Sequence, residues 1–153
     1  APALCREIVA RGHAVENHGD AHGLLFAAFG MRRMQADIAA AQATLADLTG
    51  VAPRFFRPTA GLRSPLLDPV LARLDLRLAS WTRRPFDTRT GDPESVYRRL
   101  THELAAGDIL LLHDGHAART AAGEPVIIAV LPRLLQTIAR HQIKPVTLSA
   151  ALE

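Results

Sequence analysis

Hydrophobic residues along this chain switch between helical and extended spacing, and each switch marks an element. Leu4, Ile8 and Val9, with Cys5 among them, predict the end of a helix over residues 3–11 that Gly12 stops. Met31, Met34, Ile38, Leu45 and Leu48 form a longer stripe ending at Gly50. Ser64 caps a third helix beginning at Pro65 and carrying Leu67, Val70, Leu71 and Leu74. Asp92-Pro93 opens a fourth, with Val96, Leu100 and Leu104 four apart and Gly107 as its stop. A last long helix spans residues 124–140, where Pro132 imposes a kink or marks the true first turn. Between the helices lie short strand-like runs: residues 13–17, Phe55–Phe56, residues 76–81, 109–112 and 146–148. The run 109–112 is continuously apolar, the mark of a strand covered on both faces. Residues 23–30 read as an apolar, glycine-bounded loop that covers something, residues 82–92 as a polar loop, and Ser149 as the cap of a terminal turn. Strands alternating with helices predict one α/β domain over residues 1–153, with parallel strands.

The polar residues able to carry chemistry fall just after these strands, where parallel α/β folds build their sites. His18 and His22 follow the first strand. If residues 18–22 make one helical turn, both imidazoles share a side and can hold one metal ion; two polar loop histidines is the alternative. Asn17, directly before them, is placed to fix a ring or the loop by hydrogen bonding. Arg57-Pro58 is either a turn with a solvated arginine or a guanidinium held rigidly beside a carboxylate or a substrate oxyanion. Trp81, the only tryptophan, is a core residue or a wall for a sugar ring. His113 leaves the apolar strand 109–112. An imidazole there suits proton donation, with Asp114 beside it to favour the charged form; a purely structural strand-end histidine is the alternative.

Composition narrows the classes. Hydrophobic residues at 48% and charged residues at 22% fit a globular chain. No run reaches the roughly 20 apolar residues of a membrane helix, so no transmembrane segment is expected, and no signal peptide is visible. The sequence leaves a cytoplasmic or a cell-envelope location open, and the oligomeric state too. Lys144 is the only lysine, the arginines are scattered, and aromatics are 5%, a pattern that predicts no nucleic-acid partner. Cys5 is alone, so no intrachain disulfide framework exists, and a small buried apolar role is expected for it. With no serine elbow, phosphate-cradling glycine loop or cysteine-rich metal set, nucleophilic catalysis by serine or cysteine has no support.

Taken in order, these pieces resemble the motifs of the polysaccharide deacetylase family, carbohydrate esterase family 4, which includes chitooligosaccharide deacetylases. Gly12-His13-Ala14-Val15-Glu16-Asn17-His18-Gly19-Asp20-Ala21-His22 matches most of G-H-E-[VI]-x-N followed by H-[ST]-x-x-H-P. Phe56-Arg57-Pro58-Thr59-Ala60-Gly61 resembles F-R-P-P-x-G, Trp81 and Asp87 match part of a tryptophan followed by D-x-x-D-W, and Leu110-Leu111-Leu112-His113-Asp114 matches L-x-H-D. The resemblance covers essentially the whole chain and implies a distorted (β/α) barrel. It implies a metal-dependent hydrolase that removes N-acetyl groups from amino-sugar oligomers or polymers of the chitooligosaccharide or peptidoglycan type. His18 and His22 would be ligands of a divalent metal, zinc foremost, with cobalt or nickel as alternatives. His113 would be the general acid, Arg57 would orient the catalytic carboxylate, and Trp81, Asp87, Pro58 and Gly61 would meet the substrate.

The departures are specific. The family's first motif, T-F-D-D-G-P, supplies a ligand aspartate and the general base, and no such sequence is present. Gly19 stands for Ser or Thr, Gly23 for the proline, and Arg84 where the first aspartate of the fourth motif would fall. A barrel lacking its first strands is therefore expected. Three readings account for this: a truncated piece of an ordinary deacetylase, which is preferred; an inactive remnant acting as a carbohydrate-binding or interaction module; or replacement of the carboxylates by another chain or by Asp20 or Asp114.

Overall fold

The structure, a computed structural model, describes residues 2–152. In chain order its helices are α1 (Pro2–Ala10), α2 (Met31–Thr49), α3 (Leu67–Arg73), α4 (Pro93–Thr101), α5 (Val126–Arg140) and α6 (Leu148–Ala151); its strands are β1 (Phe55–Phe56) and β2 (Arg77–Leu78). The chain divides into two compact units. One runs to Ser80 and regains the chain from Thr147 onward; the other is Trp81–Val146.

In the first unit, α2 follows its predicted stripe. Met34, Ile38 and Ala41 are buried on one face, and Gly50 ends the helix in the left-handed region with its N–H on the Ala46 carbonyl. Helix α1 buries no residue fully, and Cys5 is half-buried, short of the buried role expected for it. Strands β1 and β2 pair in parallel, Phe55 opposite Arg77 and Phe56 opposite Leu78, so the parallel α/β class holds. Prolines at 53 and 58 flank β1, and proline donates nothing to a ladder, which keeps the strand to two residues. The predicted strand 13–17 is reduced to one parallel bridge, Asn17 with Phe56. Phe56, Met34, Ile38, Leu67 and Val70 form the core, and the loop 23–30 covers it. Phe26, in a 3-10 turn over Leu24–Ala28, packs its ring centre 5.4 Å from that of Phe56.

Two boundaries differ from the sequence reading. Helix α3 begins at Leu67 because Ser64 and Pro65 are taken up in a preceding turn, where the Ser64 carbonyl accepts the Leu67 N–H. Residues 146–148 are no strand: the Thr147 hydroxyl accepts the Ala150 N–H and caps α6, so Thr147 takes the role expected of Ser149.

The second unit is built on α4 against α5. The Asp92 carboxylate caps α4 by accepting the Glu94 and Ser95 N–H groups, as its position before Pro93 predicts. The helix ends at Thr101, well short of Gly107, because Glu103 takes a left-handed conformation. Leu104 is nevertheless buried with Val96 and Leu100. Across from them, α5 buries Val126, Val130, Leu134 and Ile138 at a four-residue spacing. Pro132 sits inside α5 on its exposed side, so the Ile128 carbonyl that its missing N–H leaves without a helix partner belongs to an exposed residue. Residues 109–112 make one parallel bridge, Leu110 with Arg83, and only Leu111 is fully buried, so the strand covered on both faces is not formed among the described residues. No helix among the described residues is long and apolar enough to cross a membrane.

Candidate functional site

The expected site residues divide between the two units, and each group has its own supports. In the first unit Asn17 is the fixed point, 1% exposed. Its N–H donates to the Phe55 carbonyl and its own carbonyl accepts the Arg57 N–H. Its side-chain amide donates to the Ile38 carbonyl and to Gln42 Oε1, and its Oδ1 accepts the Gly19 N–H at 2.9 Å. A buried amide satisfied on every side fixes the start of the histidine loop.

That loop is not the helical turn expected from the spacing. Gly19 and His22 both have positive φ, 84° and 46°, which closes a tight loop instead. The Asp37 carboxylate on α2 secures it by accepting the Asp20 and Ala21 N–H groups at 3.2 and 3.0 Å. The loop still brings the two imidazoles together, ring centres 4.8 Å apart and edge to face. His18 Nδ1 lies 2.5 Å from the Arg57 carbonyl. A carbonyl only accepts, so Nδ1 carries the proton and Nε2 is the basic nitrogen, the arrangement of a metal-binding histidine.

Arg57 therefore serves through its main chain as well as its side chain. Its Nη2 donates to the Ser80 carbonyl at 3.2 Å, while its buried Nε has no partner among the described residues. Burial lowers its pKa from the ordinary arginine value. Pro58 and Gly61 close the turn that leads on from it, with the Gly61 N–H on the Pro58 carbonyl. A groove of about 270 Å³ in this unit, lined among others by Gly12, Val15, Thr49, Val51 and Arg54, touches none of the expected site residues.

In the second unit Asp87 is 0% exposed and holds His113 twice: Oδ1 lies 2.9 Å from Nδ1, and Oδ2 accepts the His113 N–H at 2.7 Å. Both expectations about these acids change. Asp87 stands behind His113 rather than on a substrate wall, because its oxygens are committed to the histidine. Asp114, expected as the partner of His113, accepts the Gly115 N–H instead. The imidazole itself remains partly open, its side chain 32% exposed. Trp81 is half-buried, with the Arg84 guanidinium 5.5 Å from its ring centre.

Asp37 and Gln42 are supports that the sequence does not single out. Their signal is present in outline: both lie on α2 beside the buried positions Ile38 and Ala41, where a polar residue at the edge of a buried stripe has something to hold. For the metal, the donor chemistry of His18 and His22 suits zinc, but a catalytic zinc site has three protein ligands. Among the described residues no group of three or more His, Cys, Asp or Glu side chains is placed to hold an ion, so Asp20 does not complete the pair.

Known proteins share this outline. Residues 1–79, just over half of the 153, match the family model described as polysaccharide deacetylase. The chain is 30% identical over 115 residues to the chitooligosaccharide deacetylase of Azorhizobium caulinodans, covering 74% of this chain and 54% of that protein. A family 4 carbohydrate esterase from Streptomyces lividans, solved in complex with acetate, superposes with a TM-score of 0.81 at 27% identity, over 93% of this chain and 69% of that one. A family 4 pseudoenzyme from Bacillus anthracis superposes with a TM-score of 0.86 at 15% identity, a likeness of fold alone, over 99% of this chain and 50% of that one. The chain thus spans about half the length of the curated relative it matches. Its fold class is that of these esterases, a distorted (β/α) barrel represented here in part, with parallel strands. On the match to more than half of its length, the chain belongs to the polysaccharide deacetylase family.

Proposed function

We propose that this chain is the part of a metal-dependent deacetylase that contributes two histidine ligands, a positioned arginine and a general acid to the hydrolysis of N-acetyl groups on amino sugars of the chitooligosaccharide or peptidoglycan type. The observation that carries the proposal is the Asp87–His113 pair. With Nδ1 committed to Asp87, the proton available for transfer sits on Nε2, and a partly exposed imidazole held at two points is what protonation of a leaving amine requires. His18 and His22 would hold the metal through their Nε2 atoms, as the Arg57 carbonyl on His18 Nδ1 supports for one of them. A bound divalent ion, zinc foremost and cobalt or nickel next, supplies Lewis acidity toward the acetyl carbonyl and lowers the pKa of water. On this reading a third protein ligand would be supplied from outside residues 2–152. Arg57, with an unpartnered Nε, has donor capacity left for a carboxylate. Trp81, Pro58 and Gly61 are assigned to the acetylated sugar.

A second reading, a carbohydrate-binding or interaction module without turnover, draws on the two-ligand count among the described residues. Metal analysis and acetate release separate the two. The purified chain is expected to take up zinc, and His18→Ala and His22→Ala each to lose it; unchanged zinc in both variants removes the metal assignment. Acetate released from chitotetraose with zinc or cobalt supports the enzyme. Sugar binding with no acetate under either metal supports the module.

A further inference from the structure

Arg84, Phe86 and Arg99 gather beside Trp81 in a cluster whose positive charge the proposed chemistry does not use. The Arg84 guanidinium lies 5.5 Å from the Trp81 ring centre and 5.1 Å from that of Phe86, and the Arg99 guanidinium lies 5.2 Å from the same Phe86 ring. Arg99 also reaches the Pro85 carbonyl at 3.5 Å. Neither guanidinium pairs with a carboxylate among the described residues: Asp108 belongs to Arg83, Glu94 to Arg133 and Asp87 to His113. Arg84 Nε is buried with no partner. Each guanidinium is held within 5.2 Å of the Phe86 ring centre with no carboxylate to neutralise it, which leaves positive charge there for an anion.

The backbone points the same way. Phe86 has φ 59° and is 37% exposed, so a bulky aromatic is held at the surface in a left-handed conformation that such side chains avoid. Strain of this kind persists where the surroundings impose it. The same turn sends the next residue, Asp87, inward against His113.

We propose that Arg84 and Arg99, framed by Trp81 and Phe86, form a subsite that recognises a carboxylate on an acetylated sugar beside the general acid His113. Guanidinium forks match carboxylates, and aromatic faces take the apolar face of a sugar ring. The ligand class is therefore an acidic acetylated sugar rather than a neutral one. This inference rests on the deacetylase reading.

Trp81 is the only tryptophan, so the emission of the intact chain reports on the cluster directly. The probes are N-acetylglucosamine, N-acetylmuramic acid, which differs from it by a lactyl carboxylate, and lactate alone. N-acetylmuramic acid is expected to bind roughly tenfold more tightly than N-acetylglucosamine at low salt, the preference shrinking as salt rises. Arg84→Gln and Arg99→Gln are each expected to bring the ratio of the two affinities toward one. Should the partly buried Arg84 variant fail to fold, the exposed Arg99 variant decides. Equal affinities in the unaltered chain, a preference that survives both substitutions, or no response to any of the three probes overturns the subsite. An arginine-dependent response to lactate with none to either sugar upholds the anion site and rejects the deacetylase reading instead.

Discussion

Asp87 and His113 show how a single acid governs what a histidine does. Both hydrogens that His113 directs at Asp87, on the main-chain nitrogen and on Nδ1, need acceptors, and a carboxylate offers two. Asparagine offers one acceptor and one donor. Asp87→Asn is therefore expected to cost about 2 kcal/mol of stability in urea unfolding and to free the ring, which nitrogen NMR of the His113 tautomer would show as a loss of the fixed Nδ1–H state. If the chain turns over, the same variant should lose roughly a hundredfold in kcat, with Asp87→Asn adding little to His113→Ala in a double-mutant comparison. Asp108 makes a second residue-scale case. Its carboxyl is lowered to about 2, chiefly by the Ala105 N–H and then by the Thr82 hydroxyl, with Arg83 behind them. A carboxyl depressed in the folded state contributes stability that is present in full above its unfolded pKa of about 3.9 and is lost as pH falls from there toward 2. Unfolding measured at pH 5, 4 and 3 should show this fall in the parent chain and a shallower one in Asp108→Asn; equal slopes would remove the assignment.

Among the elements, α2 sets the histidine loop from a distance in sequence. Ile38, Asp37 and Gln42 reach respectively a side-chain amide, two loop N–H groups and, through Asn17, the first strand bridge. Gly19 makes this possible. A Cβ there would stand 2.8 Å from Asp37 Oδ2, at a φ of 84° that side chains avoid. Gly19→Ala is expected to cost about 2 kcal/mol and to weaken zinc uptake together with it, whereas Gly23→Ala, which meets nothing within 4 Å, should leave zinc uptake as it was. These contacts also show where sequence reading succeeds. The stripe of α2, its glycine stop and the Asp92 cap of α4 are legible because period and cap chemistry are local. The histidine loop reads as helical because four-residue spacing says nothing about φ, and the Asp87–His113 pair stays hidden because 26 residues separate its members. Likewise the C-terminal run 146–148 has an extended pattern, yet the Thr147 hydroxyl begins a helix there.

For the whole molecule, family membership is legible from the order of weak motifs, none of which carries it alone. What order does not supply is the set of carboxylates that would complete the proposed zinc site, and the consequence is thermodynamic. Two imidazoles bind zinc more weakly than three protein ligands do, and binding to the folded chain alone raises its stability by mass action. At zinc a hundredfold above its Kd the chain should gain about 2.7 kcal/mol in unfolding, a gain that His18→Ala and His22→Ala abolish and that a chelator reverses. A shift that persists in both variants would place the ion elsewhere.

The grip on the site residues is largely made by main-chain atoms: the Arg57 carbonyl on His18, the Arg57 N–H on Asn17, the loop N–H groups on Asp37, the His113 N–H on Asp87. Any side chain at position 57 other than proline keeps the first two of these. Chemistry that depends on the guanidinium at position 57 can therefore be removed by one substitution while the main-chain scaffold that seats the histidine loop stays in place.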